Sequence, residues 1–216
     1  MRTAFLVFVA ALLAAPVART QVRREIVPSG NDPDPVVVHD VSGDVQAEQG
    51  GEEIQTWSST GHSAVNGTDH TAVWNLGIRY GVILTGPHGP GLLRGRLEYA
   101  VDAVPVYVIF QPSGPVYGAG VNPFAFKWMF ATHRRVTPYF EFGGGVIFTT
   151  REVPPGISNI NFGSGPAIGV NIGHGKTHWS MEARWLHISD AGLTADNPGI
   201  NVIQLRAGIG WFRHKE

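Results

Sequence analysis

From about Glu52 onward the chain alternates apolar and polar residues one by one. A β-strand uses this period, because its successive side chains leave opposite faces. Over residues 71–84, Ala72, Trp74, Leu76, Ile78, Tyr80, Val82 and Leu84 share one face, and Val73, Asn75, Gly77, Arg79 and Gly81 share the other. Residues 91–110 begin the same way, with Leu93, Leu97, Tyr99 and Val101 against Arg94, Arg96, Glu98 and Asp102. Residues 117–130 carry Phe124, Phe126, Trp128 and Phe130 on one parity and Lys127 on the other. In 136–149, Phe140, Phe142, Val146 and Phe148 align, and in 160–172 Ile160, Phe162, Ile168, Val170 and Ile172 oppose Asn161, Gly163, Ala167, Gly169 and Asn171. Two further strands, 180–189 and 201–212, and a weaker one near 55–65 bring the count to about eight. Turns rich in Gly, Pro, Asn and Ser separate them.

Two closed all-β forms fit this pattern. A soluble barrel or sandwich turns the apolar face inward, whereas an outer-membrane barrel turns it to lipid. The polar faces favour the second. Arg94, Arg96, Glu98, Asp102, Glu182, Arg184 and Arg206 are of both signs and would pair inside, and Trp57, Trp74, Tyr80, Trp128, Trp185 and Trp211 would girdle the membrane interfaces. The segments match the roughly 9–11 residues a tilted strand needs to cross a bilayer. The expectation for 52–213 is an eight-stranded antiparallel transmembrane β-barrel with a filled polar interior.

The start of the chain has a different character. Arg2 precedes an apolar run over residues 4–15, too short to span a bilayer, and small residues follow. Residues 1–20 are expected to be a secretory signal cleaved after Ala18 or Thr20, the alternative being an N-terminal anchor helix. Residues 21–51, rich in Asp, Glu, Gly and Pro, are expected to be a flexible polar leader. No later segment reaches the length of a transmembrane helix. The chain has no cysteine, which excludes disulfides and thiolate metal sites. A formal net charge of -1 gives no electrostatic case for nucleic acid.

The candidate chemistry lies at the end of the seventh strand. Met181, Ala183, Trp185, His187 and Ser189 share one face, so His187 and Ser189 close an otherwise apolar row. On the next strand Asn201 heads the row Ile203, Leu205, Ala207, Ile209 and Trp211. A His beside a Ser hydroxyl is the minimum for base-assisted nucleophilic attack. His-x-Ser alone is common at strand ends; its place on a lipid-facing row sets this one apart. Across the short 190–200 connection, Asn201 is expected to reach the ring of His187 with its carbonyl oxygen.

Other motifs carry less. Gly173-His174-Gly175-Lys176-Thr177 lacks the upstream glycine of a phosphate loop and is expected to be a hairpin turn. His174 and His178 have metal-ligand spacing only on a helix, and Asn66-Gly67-Thr68 is more simply a turn than a glycosylation site. Gly143-Gly144-Gly145 is expected to allow curvature or close packing within a strand.

The segments H-I-S-D-A-G-L and N-P-G-I-N closely resemble the active-site region of the lipid A 3-O-deacylases, the PagL or acyloxyacyl-hydrolase type. The likeness extends through T-A-V-W-N-L-G-I-R-Y, G-L-L-R-G-R-L-E-Y-A, Q-P-S-G-P-V-Y-G-A-G-V-N-P-F and P-Y-F-E-F-G-G-G. It implies an eight-stranded outer-membrane barrel that removes an ester-linked acyl chain from lipid A of lipopolysaccharide, without a cofactor, on its outer wall. By resemblance Ser189 is the nucleophile, His187 its base, and Gly192 and Asn197 supply oxyanion donors. Two positions depart from the family: Asp190 stands where Asn is common, and Asn201 where well-known members carry a triad glutamate. The competing readings are a catalytically silent barrel of the same fold and a soluble lipid-carrier barrel.

Overall fold

The computed structural model describes residues 47–64, 70–132, 135–194 and 197–213. The signal expected over 1–20, the leader up to residue 46, and Asn66-Gly67-Thr68 lie outside them. Eight strands follow in order: β1 (Glu52–Ser63), β2 (Ala72–Ile83), β3 (Gly95–Gln111), β4 (Gly114–Phe130), β5 (Val136–Thr149), β6 (Ile160–His174), β7 (Thr177–Ser189) and β8 (Ile200–Arg213). Each pairs antiparallel with its neighbours in sequence, and β1 pairs with β8 to close the barrel. Closure removes every sheet edge, which hydrocarbon demands because it offers no partner for an open N–H or C=O. The end of the expected leader is not free: Ala47 packs with Ile83, Met129, Tyr139 and Phe212, and the Gly50 N–H donates to the Ile83 carbonyl at 2.9 Å.

The alternation maps onto the two sides of the wall. Trp74, Leu76, Ile78 and Tyr80 of β2, Phe140, Phe142 and Phe148 of β5, and Met181 and Trp185 of β7 are all exposed on the outside. A continuous apolar outer surface of this extent belongs in lipid. Leu76→Cys should therefore resist a water-soluble thiol reagent in intact membranes and be quenched by lipid-embedded probes. With no native cysteine there is no background, and free aqueous labelling would mean that the wall faces water.

The interior is an ion network. The Arg79 guanidinium reaches Asp102 (Nε to Oδ1 2.8 Å) and Glu141 (Nη2 to Oε1 2.7 Å). Arg184 bridges Glu141 at 2.5 Å and Glu182 at 2.9 Å. A second cluster sets Lys127 Nζ 2.7 Å from Glu53 and 2.8 Å from Glu98, with His178 Nε2 2.7 Å from Glu53. Pairing is obligatory here, since stranding one buried charge costs about 3–5 kcal/mol. The cavity among Trp57, Asp102, Glu141, Arg184 and Arg206 has a volume of about 40 Å³, room for water and not for an acyl chain.

Three details differ from the pattern-based expectation. Arg94 is exposed beyond the start of β3, because Gly91–Leu93 forms a 3-10 turn instead of strand. Arg96 is half-exposed, whereas Glu98, Asp102, Glu182 and Arg206 are buried inside as expected, and Arg184, its side chain 11% exposed, joins their ion network. Trp57 is not part of a girdle: it is buried, with the Arg206 guanidinium 3.7 Å from its ring centre. Its ring fills the space over Gly77, where a Cβ would lie 2.3 Å from Trp57 Cζ2. In β3 and β4 the alternation slips where the register shifts between Val104 and Tyr107 and between Val121 and Phe124. Pro105 and Pro123 sit in those two bulges, where a missing N–H is tolerated.

Candidate active site

β7 carries His187 and Ser189 outward because Leu186, Ile188 and Asp190, of the other parity, are buried. Both residues are half-buried on the outer wall. They stand at the barrel end that bears the 190–199 connection, opposite the end where β1 starts and β8 finishes. In the sheet register His187 lies between Ser164 of β6 and Asn201 of β8, and Ser189 lies beside Phe162.

His187 Nδ1 is 2.8 Å from the carbonyl oxygen Oδ1 of Asn201. A carbonyl oxygen only accepts, so Nδ1 carries the hydrogen and donates it, which leaves a lone pair on Nε2. The Asn201 backbone carbonyl is itself tied across to β1 by the Ala64 N–H at 2.7 Å. Gly199 supports the other side of the ring. It adopts φ 63°, and a Cβ there would fall 2.8 Å from His187 Cε1. Only a glycine at 199 leaves the ring its place. Among the described residues no hydrogen bond joins His187 to Ser189; such bonds commonly tighten only when substrate arrives.

The connection after Ser189 is organised by Asp190. Its carboxylate is buried and accepts four hydrogen bonds. Oδ1 takes the Asn197 amide N–H at 2.6 Å and the Gly192 backbone N–H at 3.0 Å. Oδ2 takes the Thr194 backbone N–H at 2.8 Å and the Thr194 hydroxyl at 2.5 Å. The Asn197 amide, then the Thr194 hydroxyl, hold this carboxyl down at about 2, against partial desolvation. Asp190 thus stays ionised throughout the range in which histidine titrates. With a folded value below the ordinary one near 3.9, its stabilisation is complete above that pH and is lost only as pH falls toward about 2.

In this arrangement the Gly192 N–H and one N–H of the Asn197 amide donate to Asp190. His187, Ser189 and Asn201 are brought to one patch of wall. Two neighbours were not singled out from the sequence. Ser164 faces His187 only through the β6–β7 register, which single-strand periodicity does not contain. Gly199 lies in the N-P-G-I-N segment, but that it backs the His187 ring is set by how the connection folds. Among the described residues no group of three or more His, Cys, Asp or Glu stands where it could hold a metal ion.

The model of the lipid A 3-O-deacylase (PagL) family matches residues 55–210. Among solved structures, the crystal structure of the outer membrane enzyme PagL aligns with TM-score 0.51 and 20% identity, covering 71% of this chain and 97% of that one. The outer membrane protein OprG from Pseudomonas aeruginosa aligns with TM-score 0.48 and 11% identity over 80% of this chain and 100% of its own. Neisserial surface protein A aligns with TM-score 0.41 and 17% identity over 74% and 95%. Comparison with curated protein sequences gives no match. The match spans all eight strands and the His187–Asn201 pair, and on that ground this outer-membrane β-barrel belongs to the lipid A 3-O-deacylase (PagL) family.

Proposed function

We propose that the protein is an outer-membrane serine esterase that removes an ester-linked acyl chain from lipid A. The observation that carries the reading is the 2.8 Å bond from His187 Nδ1 to Asn201 Oδ1, made on a lipid-facing wall two residues from a serine. Polar side chains on such a face are costly unless they act on lipid. The filled lumen supports the same reading, because it leaves the outer wall as the place for substrate. Met181, Trp185 and Phe162 offer apolar surface to acyl chains around the site.

In this mechanism Asn201 holds the tautomer in which His187 Nε2 is unprotonated. Nε2 takes the Ser189 proton as Oγ attacks the ester carbonyl carbon. The tetrahedral intermediate collapses by breaking the bond to the sugar oxygen, which leaves with the proton returned by Nε2. Water, deprotonated by the same nitrogen, then attacks the acyl-serine. A fatty acid departs and Ser189 regains its proton. No metal or cofactor is required for this sequence of steps.

The test is incubation of the purified protein with lipid A in detergent, with mass detection of one lost acyl chain and of the free fatty acid. An intact substrate after prolonged incubation would leave a silent barrel of the family. Gly199→Ala gives a second test. The added methyl would push the ring from Asn201, and a displacement of about 1 Å costs about 10²-fold in rate. Turnover should fall by about 10–10²-fold in a folded barrel; unchanged turnover would mean that Gly199 does not seat the ring.

A further inference from the structure

We propose that Asp190 is a positioning residue for this site, acting on His187 through Asn197 and Gly199. The inference rests on the esterase reading above. Three contacts make the path. Asp190 Oδ1 accepts from the Asn197 amide at 2.6 Å, the amide oxygen of Asn197 accepts from the Gly199 N–H at 2.8 Å, and Gly199 backs the Cε1 edge of the His187 ring. Asn197 uses both ends of its amide, so it cannot keep its hold on Gly199 and turn away from Asp190. Asn201 fixes one edge of the imidazole and the backbone at Gly199 fixes the next. Together they set the direction of the Nε2 lone pair.

The same carboxylate holds a turn that the backbone alone disfavours. Ala191 and Gly192 have φ 57° and 81°, as the two central residues of a type I′ turn do, and the Leu193 N–H closes it on the Asp190 carbonyl at 3.3 Å. An alanine in the left-handed region is disfavoured because its Cβ crowds the following carbonyl oxygen. The four hydrogen bonds to Asp190 offset that strain and keep the connection in one shape. Each carboxylate oxygen takes two donors. An amide at this position has one accepting oxygen and would keep only one of the two pairs.

That asymmetry yields a test with graded outcomes. Asp190→Ala should lower kcat by about 10–10²-fold with KM changed by less than about twofold, on the scale expected for a displaced base. Asp190→Asn, with its oxygen toward Asn197 and Gly192, keeps the path to His187 and should lie within about tenfold of wild type. Asn197→Ala should match Asp190→Ala, and the double variant should be no worse than either, because members of one path are not additive. Heat-modifiable gel mobility verifies that each barrel is folded. The His187 ring nitrogen resonances should shift in Asp190→Ala, and the Gly199 amide should lose protection from exchange. A folded Asp190→Ala protein with wild-type kcat, or multiplicative losses in the double variant, would overturn the proposal. If the wild type itself releases no fatty acid, the esterase reading fails while the resonances still decide this one: an unmoved His187 ring in Asp190→Ala sinks it.

Discussion

Ser189→Ala is expected to end release of fatty acid from lipid A, with a loss on the order of 10⁴-fold or more, the scale seen when a serine hydrolase loses its nucleophile. His187→Asn should cost a similar factor. Without a base at Nε2's position the hydroxyl must attack while still carrying its proton. The double variant should be no slower than either single one, since nucleophile and base act as a unit. Neither change should unfold the protein. Both side chains are half-buried on the outer wall, and neither takes part in the interior ion network. Mass detection of the deacylated product reads the outcome, with heat-modifiable mobility as the folding control. Persistent turnover in Ser189→Ala would remove that residue as nucleophile, and Ser164, the register partner of His187, would become the hydroxyl to test.

Asn201→Leu should lower turnover by about 10²–10⁴-fold, the range for lost base assistance. Leucine keeps the bulk but leaves the Nδ1–H without an acceptor. The ring is then free to take the other tautomer, in which Nε2 carries the hydrogen and cannot accept the Ser189 proton. Asn201→Glu should maintain or raise activity. A carboxylate would hold the same N–H and also offset the imidazolium charge that develops during attack, which an amide does only in part. An amide is still workable in this role, as Cys-His-Asn proteases demonstrate. Equal rates for wild type and Asn201→Leu would show that another residue orients His187. Asp190 is a poor candidate for that direct role, because it turns to the opposite side of the wall and both of its oxygens already hold two donors.

The barrel was legible because its signal is local. Period-two alternation in β2, β5, β6 and β7 assigns each side chain to lumen or lipid without knowledge of any partner strand. It also placed Arg79 and Lys127 inside before their counter-ions were known. Alternation was least informative where backbone hydrogen bonding departs from regularity. At Pro105 and Pro123 an extra residue enters the strand and the faces exchange, so the pattern blurs. Trp57 shows another limit. Tryptophan suits a membrane interface by composition, but Gly77 opposite it opens an interior site that only strand pairing reveals.

For the site, the sequence by itself determined that His187 and Ser189 share the lipid face of β7 and that Asn201 heads the same face of β8. Side-chain direction on a strand follows from parity alone. The tertiary structure decided what those residues can do. Register sets Asn201 opposite His187 and brings Oδ1 to 2.8 Å from Nδ1, a distance that no spacing along one strand encodes. It also decided that the Gly192 N–H and one N–H of the Asn197 amide turn to Asp190. Hydrogen bonds in a connecting segment depend on where its two ends are held, and here the β7–β8 pairing holds them.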